Sequence, residues 1–347
     1  MADSGGHWLT LDEAKKLSQY FQVPGVIDDN VKLGNPFALF PMGNLTGTGT
    51  AFKWLRKTDS AADDVVNIDP TSKTTRVWTD SSTYTLKDAE LRGCNISRLL
   101  NKFVSSVYGT FNNYEKIVAD EMDVAMLEAL GDKLIYDDET YGSATVKEMD
   151  GLHARAAENY GSDWDVDAGE IALSIAKWRQ LAEAMKLGVD FYLVPTWVPR
   201  RLGAMLQEGG VASFVGPGTF SWAPNDVGKR VYMFDGTPII PCDFLVKETI
   251  NTGISTNKRV KNTAGTTYSM FAIKLGKPDI TSPDPGAKML FGNVENQGTF
   301  SNLEYFDKLE TMVNTKGMSK TAYTQFVCGS KYAVGRIWDF TNAAFTV

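Results

Sequence analysis

Residues 96–130 read ISRLLNKFVSSVYGTFNNYEKIVADEMDVAMLEAL, and this stretch decides the fold. Its apolar side chains (Ile96, Leu99, Leu100, Phe103, Val104, Val107, Tyr108, Phe111, Tyr114, Ile117, Val118, Met122, Ala125, Met126, Ala129 and Leu130) recur three or four positions apart. That spacing predicts one face of a long helix, or of two abutting helices interrupted at Gly109, with Asn95 and Asn113 as N-caps. Burying each large apolar side chain along such a stripe stabilises by about 1.5–3 kcal/mol before entropy is counted, so the stripe reads as a core element. A polar, Thr-rich stretch precedes it and Asp150-Gly151-Leu152 follows it.

On the N-terminal side, Leu9 to Phe21 has the pattern of one short helix, with Thr10 as its cap. Pro24, Gly25, Gly34, Pro36, Pro41 and Gly43 then break any periodic element. The segment reads as an extended arm whose Phe37, Leu39 and Phe40 need a surface to lie against, and a neighbouring subunit is a candidate. From Gly47 to Arg92 the period becomes strand-like: Phe52 and Trp54 alternate with Lys53 and Leu55, and Val77, Thr79, Tyr84 and Leu86 follow beyond the polar tip Asp59–Pro70. A two-stranded ribbon buries too little surface to stand alone, so it is expected to be covered by its own domain or packed on a neighbour, the neighbour being favoured by the arm beside it.

On the C-terminal side, a helix is expected from Val166 or Ala168 to Lys186, capped by Asp165 or Asp167, with Ile171, Ile175, Trp178, Leu181, Ala182 and Met185 on one face. The strand Phe191–Val194 and a Pro195-led helix, Trp197 to Leu206, come next. Strands at Arg230–Phe234, Pro238–Pro241, Tyr268–Leu275, Thr324–Val327 and Tyr332–Phe340 complete the chain. Strands, helices and strands in that order define an α+β class rather than alternating βαβ units.

Composition limits the chemistry. The 347 residues are 43% hydrophobic and carry a net charge of -7, which disfavours sequence-independent nucleic-acid binding by the whole surface. Cys94, Cys242 and Cys328 form neither a disulfide framework nor a zinc knuckle. The N-terminus lacks a secretory pattern and no long apolar run occurs, so a protein neither secreted by the standard route nor membrane-spanning is expected. Asp163, Asp165 and Asp167 resemble a calcium loop only superficially, because Ala168 stands where Gly is needed and Ser174 where a bidentate acid is needed. His153 with Asp150 and Glu148 could form an acid-base cluster, but polar residues beside a turn are common. No phosphate loop or nucleophile elbow is present. Asn257–Lys261 reads as a solvated hairpin tip. Trp54 and Trp78 read as aromatic anchors and Arg200-Arg201 as interfacial cations. The candidate intersubunit contacts are Phe37, Phe40, Phe52, Trp54, Trp78, Arg200 and Arg201; no catalytic, cofactor or metal residue is assigned.

The chain resembles the major capsid proteins of tailed bacteriophages, the Hong Kong ninety-seven type, a fold shared with encapsulins. The arm carrying Asn35-Pro36-Phe37 resembles the family's N-terminal arm, residues 49–92 its extended loop, and residues 95–131 its spine helix. Ala168–Lys186, Phe191–Pro195, the Trp197 helix and Gly236-Thr-Pro-Ile-Ile-Pro241 resemble parts of the axial domain, and residues 324–336 the closing strand pair. The resemblance rests on the order of segments. It implies an arm at 1–44, a β-hairpin loop at 45–94, a spine helix with part of the peripheral domain at 95–152, a mainly axial region at 153–298 and return strands at 299–347.

The implied function is that of a non-enzymatic subunit, self-assembling into pentamers and hexamers that close an icosahedral shell around packaged double-stranded DNA. A separate scaffolding protein, a portal and a decoration protein are the implied partners, with no cofactor and no membrane. The implied location is the virion, after assembly in the host cytoplasm. Some members crosslink through lysines, for which Lys53, Lys57 or Lys73 would be donors. Two other readings compete: an encapsulin-type compartment, in which Leu9–Phe21 would bind cargo, and a soluble enzyme using Asp165, Asp167, Glu170 and His153.

Overall fold

The computed structural model describes residues 32–45, 51–57, 83–103, 114–137, 148–157, 162–208, 220–224, 230–250, 259–292, 304–306 and 315–346. In chain order, its first elements are a 3-10 turn at Pro36–Leu39, then β1 (Met42–Asn44), β2 (Ala51–Lys57), β3 (Tyr84–Glu90), β4 (Arg92–Asn101) and helix α1 (Tyr114–Tyr136). The middle of the chain forms α2 (Leu152–Ala157), β5 (Asp165–Ser174), α3 (Ile175–Ala184), β6 (Phe191–Pro195) and α4 (Val198–Glu208). Strands follow: β7 (Phe220–Pro224), β8 (Arg230–Phe234), β9 (Thr237–Cys242), β10 (Glu248–Ile250), β11 (Arg259–Lys261), β12 (Thr267–Ile273), β13 (Ala287–Gly292), β14 (Glu304–Phe306), β15 (Thr315–Cys328) and β16 (Val334–Thr346). The α+β class is as expected from the sequence.

Three sheets organise these strands. A five-stranded sheet runs β1-β13-β15-β14, with β4 also paired to β15. A nine-stranded sheet runs β11-β10-β12-β6-β9-β8-β7, with β16 joining β12 to β5. The third is the β2–β3 ribbon, in antiparallel register from Ala51 opposite Glu90 to Lys57 opposite Tyr84.

The stretch 96–130 divides, which corrects the single-helix reading. Ile96, Leu99 and Leu100 lie in β4, in a ten-residue antiparallel register with β15 from Arg92 opposite Thr324 to Asn101 opposite Thr315. Cys94, Ile96, Arg98 and Leu100 fit a period of two as well as Ile96, Leu99 and Leu100 fit 3.6, and a full ladder to a 14-residue partner strand settles the choice. Helix α1 keeps the second half: Val118, Met122, Met126, Leu130 and Leu134 are buried at four-residue spacing. Residues 104–113, with Asn113, lie outside the described residues.

A second correction concerns residues 165–174, where the sequence predicts a helix from Val166 or Ala168 onward. They form β5, which pairs in parallel with β16 from Asp165 opposite Arg336 onward, and the helix begins only at Ile175. Its cap is Ser174, whose hydroxyl accepts from the Lys177 amide, rather than Asp165 or Asp167. Val166, Ala168 and Leu173 pack with Trp178, Leu181 and Met185 in one core, so β5 and α3 bury a common face.

The arm is enclosed by its own subunit. Phe37 and Phe40 share a core with Met126, Leu130, Leu134, Phe271 and Phe326, and Phe40 meets Phe326 edge-on at 5.2 Å. Asn35 fixes the entry: its Oδ1 accepts from the Phe37 amide at 3.0 Å and its Nδ2 donates to the Leu127 carbonyl of α1 at 2.9 Å. Gly34 precedes it at φ +67°, where a Cβ would stand 2.0 Å from the Pro241 carbonyl oxygen, so only glycine passes beneath β9.

Candidate assembly surface and buried polar core

The ribbon has two unlike faces. Period-2 alternation turns Phe52, Trp54 and Arg56 inward, where Phe52 and Trp54 pack against Leu45, Ala89, Leu290 and Val327. Trp54 Nε1 donates to the Gly329 carbonyl at 3.2 Å, and Arg56 donates to the carbonyls of Gly329 and Cys328 at 3.2 and 3.1 Å. Phe52 also lies beneath the ammonium of the buried Lys288, 5.3 Å from its ring centroid. The Cys328–Ser330 turn that receives the ribbon is shaped by a close approach: a Cβ on Gly329 would lie 1.8 Å from the Asp284 carbonyl oxygen.

The outward face carries Leu55 directly opposite Leu86, with Tyr84 opposite Lys57 and Asp88 opposite Lys53. Leu55, Leu86 and Tyr84 are 67%, 59% and 62% exposed, an apolar strip between charges. Large apolar side chains grouped in this way mark a contact surface more often than a solvated one.

The sequence-derived contact residues fall into distinct places. Phe37 and Phe40 are 1% and 4% exposed within the subunit's own core, which corrects their reading as intersubunit contacts. Phe52 and Trp54 are half-buried on the ribbon's inner face. Arg200 and Arg201 are exposed on α4, where Arg201 Nε reaches Asn342 Oδ1 at 3.3 Å. Lys53 and Lys57 are exposed on the ribbon, whereas Trp78, Lys73 and the Leu9–Phe21 segment lie outside the described residues. Sequence reasoning did not single out the exposed Leu55, Leu86 and Tyr84; the alternation that turned Phe52 and Trp54 to one side already assigned Leu55 to the other.

A buried polar network stands where β16 crosses the nine-stranded sheet. Arg336 forks onto Asp165, donating from Nε to Oδ1 and from Nη2 to Oδ2, the latter at 3.3 Å. Its Nη1 lies 3.3 Å from His153 Nδ1, and His153 Nε2 lies 3.1 Å from Glu248 Oε2, within ionic range but off the angle of a hydrogen bond. Ser269 donates to Glu248 Oε1. Arg259, expected at a solvated tip, is instead buried. Its Nη2 lies 2.9 Å from Asp339 Oδ1 and its guanidinium stacks on Trp338 at 4.5 Å. Asp339 has φ +65° at a register shift of β16, and this bulge presents its carboxylate.

The network is closed to substrate. His153 and Glu248 are 1% and 0% exposed, and burial pushes the His153 imidazolium downward in pKa against the opposing pull of Glu248. Asp150 pairs with Arg155 at 3.1 Å, and Asp167 accepts from the Gly169 amide at 2.8 Å. Among the described residues, no group of three or more His, Cys, Asp or Glu side chains could hold a metal ion. No described helix is long and apolar enough to cross a membrane. A cavity of about 490 Å³ between the arm, α1 and β11 is lined by Lys32, Asp132, Phe244, Val246 and Lys261, among others, with Lys261 paired to Asp132.

An arm, a ribbon continuous with the five-stranded sheet, a long helix and a second, larger sheet define the Hong Kong ninety-seven-type capsid fold. The comparisons with solved structures agree over nearly the full chain. The protein is similar to the SrpI encapsulin of Synechococcus elongatus PCC 7942, with a TM-score of 0.62 at 12% identity, covering 97% of each chain. It is also similar to the capsid of cyanophage P-SCSP1u, with a TM-score of 0.53 at 10% identity over 95% of this chain and 94% of that one. The capsid of Myoviridae phage XM1 gives 0.54 at 10% identity over 91% and 96%. No family model matches the sequence, and no curated protein matches it.

Proposed function

We propose that this chain is the structural subunit of an icosahedral phage capsid, assembling into pentamers and hexamers that enclose packaged double-stranded DNA. The observation that carries this reading is the shared fold, which spans nearly all of this chain and of the capsid chains it resembles. The ribbon supplies the physical complement. Its inner face is satisfied within the subunit, while its outer strip of Leu55, Leu86 and Tyr84 gains from burial only against another molecule. Arg200 and Arg201 on α4 are the corresponding polar candidates at a capsomer contact. A net charge of -7 suits a container that holds DNA without binding it tightly. Scaffolding, portal and decoration proteins belong to this reading as partners, and the virion as its location.

The second reading, an encapsulin-type compartment, is favoured by the SrpI likeness. Negative-stain electron microscopy of the purified chain, alone and with any scaffolding candidate found in its genomic neighbourhood, tests both. Closed shells or capsomer rings support a shell subunit, and uniform small particles under both conditions overturn it. Shells that capture a co-expressed enzyme through its tail, in place of DNA, would select the compartment.

A further inference from the structure

We propose that His153 is an acid-releasable clamp, which in its neutral form joins α2 to the nine-stranded sheet and on protonation lets α2 open locally. The geometry sets the tautomer. Arg336 Nη1 can only donate, so the His153 Nδ1 that faces it at 3.3 Å must present its lone pair. The ring proton therefore sits on Nε2, 3.1 Å from Glu248 Oε2. Neutral His153 thus accepts from a cation on β16 and sets its N–H beside an anion on β10, and a second proton on Nδ1 would set two donors against each other in a buried site.

The groups around the ring come from every packed element. Glu248 of β10 favours the added proton, whereas Arg336 of β16 and Arg259 of β11 oppose it. Asp165 of β5 is held by Arg336, and Asp339 of β16 by Arg259. Tyr136 of α1 stacks on the ring at 5.2 Å, and Phe271 of β12 meets it edge-on at 4.9 Å. On its own element, Arg155 is paired with Asp150. The ring is 1% exposed, and α2, six residues long, is the short element on which it rides. Leu152 and Ala156 of α2 belong to the core that also holds Phe37 and Leu130, whereas Val166 and Ile337, beside Asp165 and Arg336, belong to the other. The clamp therefore joins the two cores.

Hydrogen exchange of the 151–157 amides in the full chain, corrected for intrinsic rates, tests this at about pH 7.5 and about pH 5. Wild-type protection is expected to fall at least about ten-fold on acidification. His153→Gln, which keeps an acceptor and a donor but cannot gain a proton, is expected to hold its protection over the same range. Unchanged wild-type protection, or a parallel fall in His153→Gln, overturns the proposal. If the variant does not fold, C2-proton exchange of His153 in the wild type decides: an inflection below that of free histidine is expected, and one at or above it overturns the clamp.

Discussion

The indole of Trp54 and the carbonyl of Gly329 are 275 residues apart in sequence and 3.2 Å apart in space. Through this bond the ribbon is fastened to the β15–β16 turn of its own subunit, and Arg56 adds two more donors to the same turn. Trp54→Phe keeps most of the packing against Leu290 and Val327 and removes the donor. It is expected to cost about 1 kcal/mol of ribbon docking with little change in global melting. Limited proteolysis should then cut the ribbon several-fold faster, and an unchanged cleavage rate would refute the fastening.

The outer strip separates assembly from folding. Leu55→Asp with Leu86→Asp places two carboxylates opposite each other on a surface that is solvated in the free subunit. The melting temperature is expected to stay within about 2 °C of the wild type, as surface substitutions change stability by roughly 0.5 kcal/mol or less. Sedimentation should show subunits or small oligomers in place of shells; normal shells would remove the strip from the interface.

Along α1, Leu130 is fully buried in the core that also holds Phe37 and Phe40 of the arm. Leu130→Ala is expected to destabilise by about 2–5 kcal/mol. Val124, 46% exposed on the opposite side of the helix, should tolerate alanine within roughly 0.5 kcal/mol. Denaturant midpoints of the two variants at matched protein concentration check the contrast, and equal losses would contradict the helix orientation.

Asp137 follows α1 and pairs with Lys133 at 2.9 Å, yet burial outweighs this pairing and pushes its carboxyl up to about 6 from the ordinary 3.8. With the folded value above the unfolded one, the native state binds the extra proton between pH 3.8 and about 6. Ionised Asp137 therefore burdens the fold at neutral pH, and that burden lifts as pH falls through the window. Asp137→Asn is expected to raise the melting temperature at about pH 7.5 by roughly 2 °C, with the gain shrinking toward about pH 4. A pH-independent difference between variant and wild type would show that the effect is not protonation. The comparison also separates Asp137 from His153, whose lowered value acts in the opposite sense: stability is complete above the unfolded pKa of 6.5 and declines as pH falls below it.

How far the sequence carried can be read from particular residues. Local patterning located β2, β6, β8 and β9 and the inner face of the ribbon, because short alternating or continuously apolar runs there are bounded by glycine and proline. It failed where a segment satisfied two periods at once. Ile96, Leu99 and Leu100 fit a helix until the ladder to residues 315–324, more than 200 positions away, is counted. Asp165 and Asp167 looked like helix caps because their pairing with Arg336 and Trp338 is equally remote. Arg259 looked solvated for the same reason, since its partners Asp339 and Trp338 come from the last strand. For Phe37 and Phe40 the need for cover was legible, but the choice between a neighbour and the chain's own Phe326 was a matter of tertiary arrangement.

Only Leu91 separates β3 from β4, so the ribbon and the five-stranded sheet are served by one nearly continuous run of extended chain. Tension drawn along that run reaches the ten-residue β4–β15 ladder lengthwise, perpendicular to its hydrogen bonds, and loads them together in shear rather than one after another by peeling. The fold is thereby built as a tie-rod: a pull along the chain would be carried by the longest shared register among the described residues.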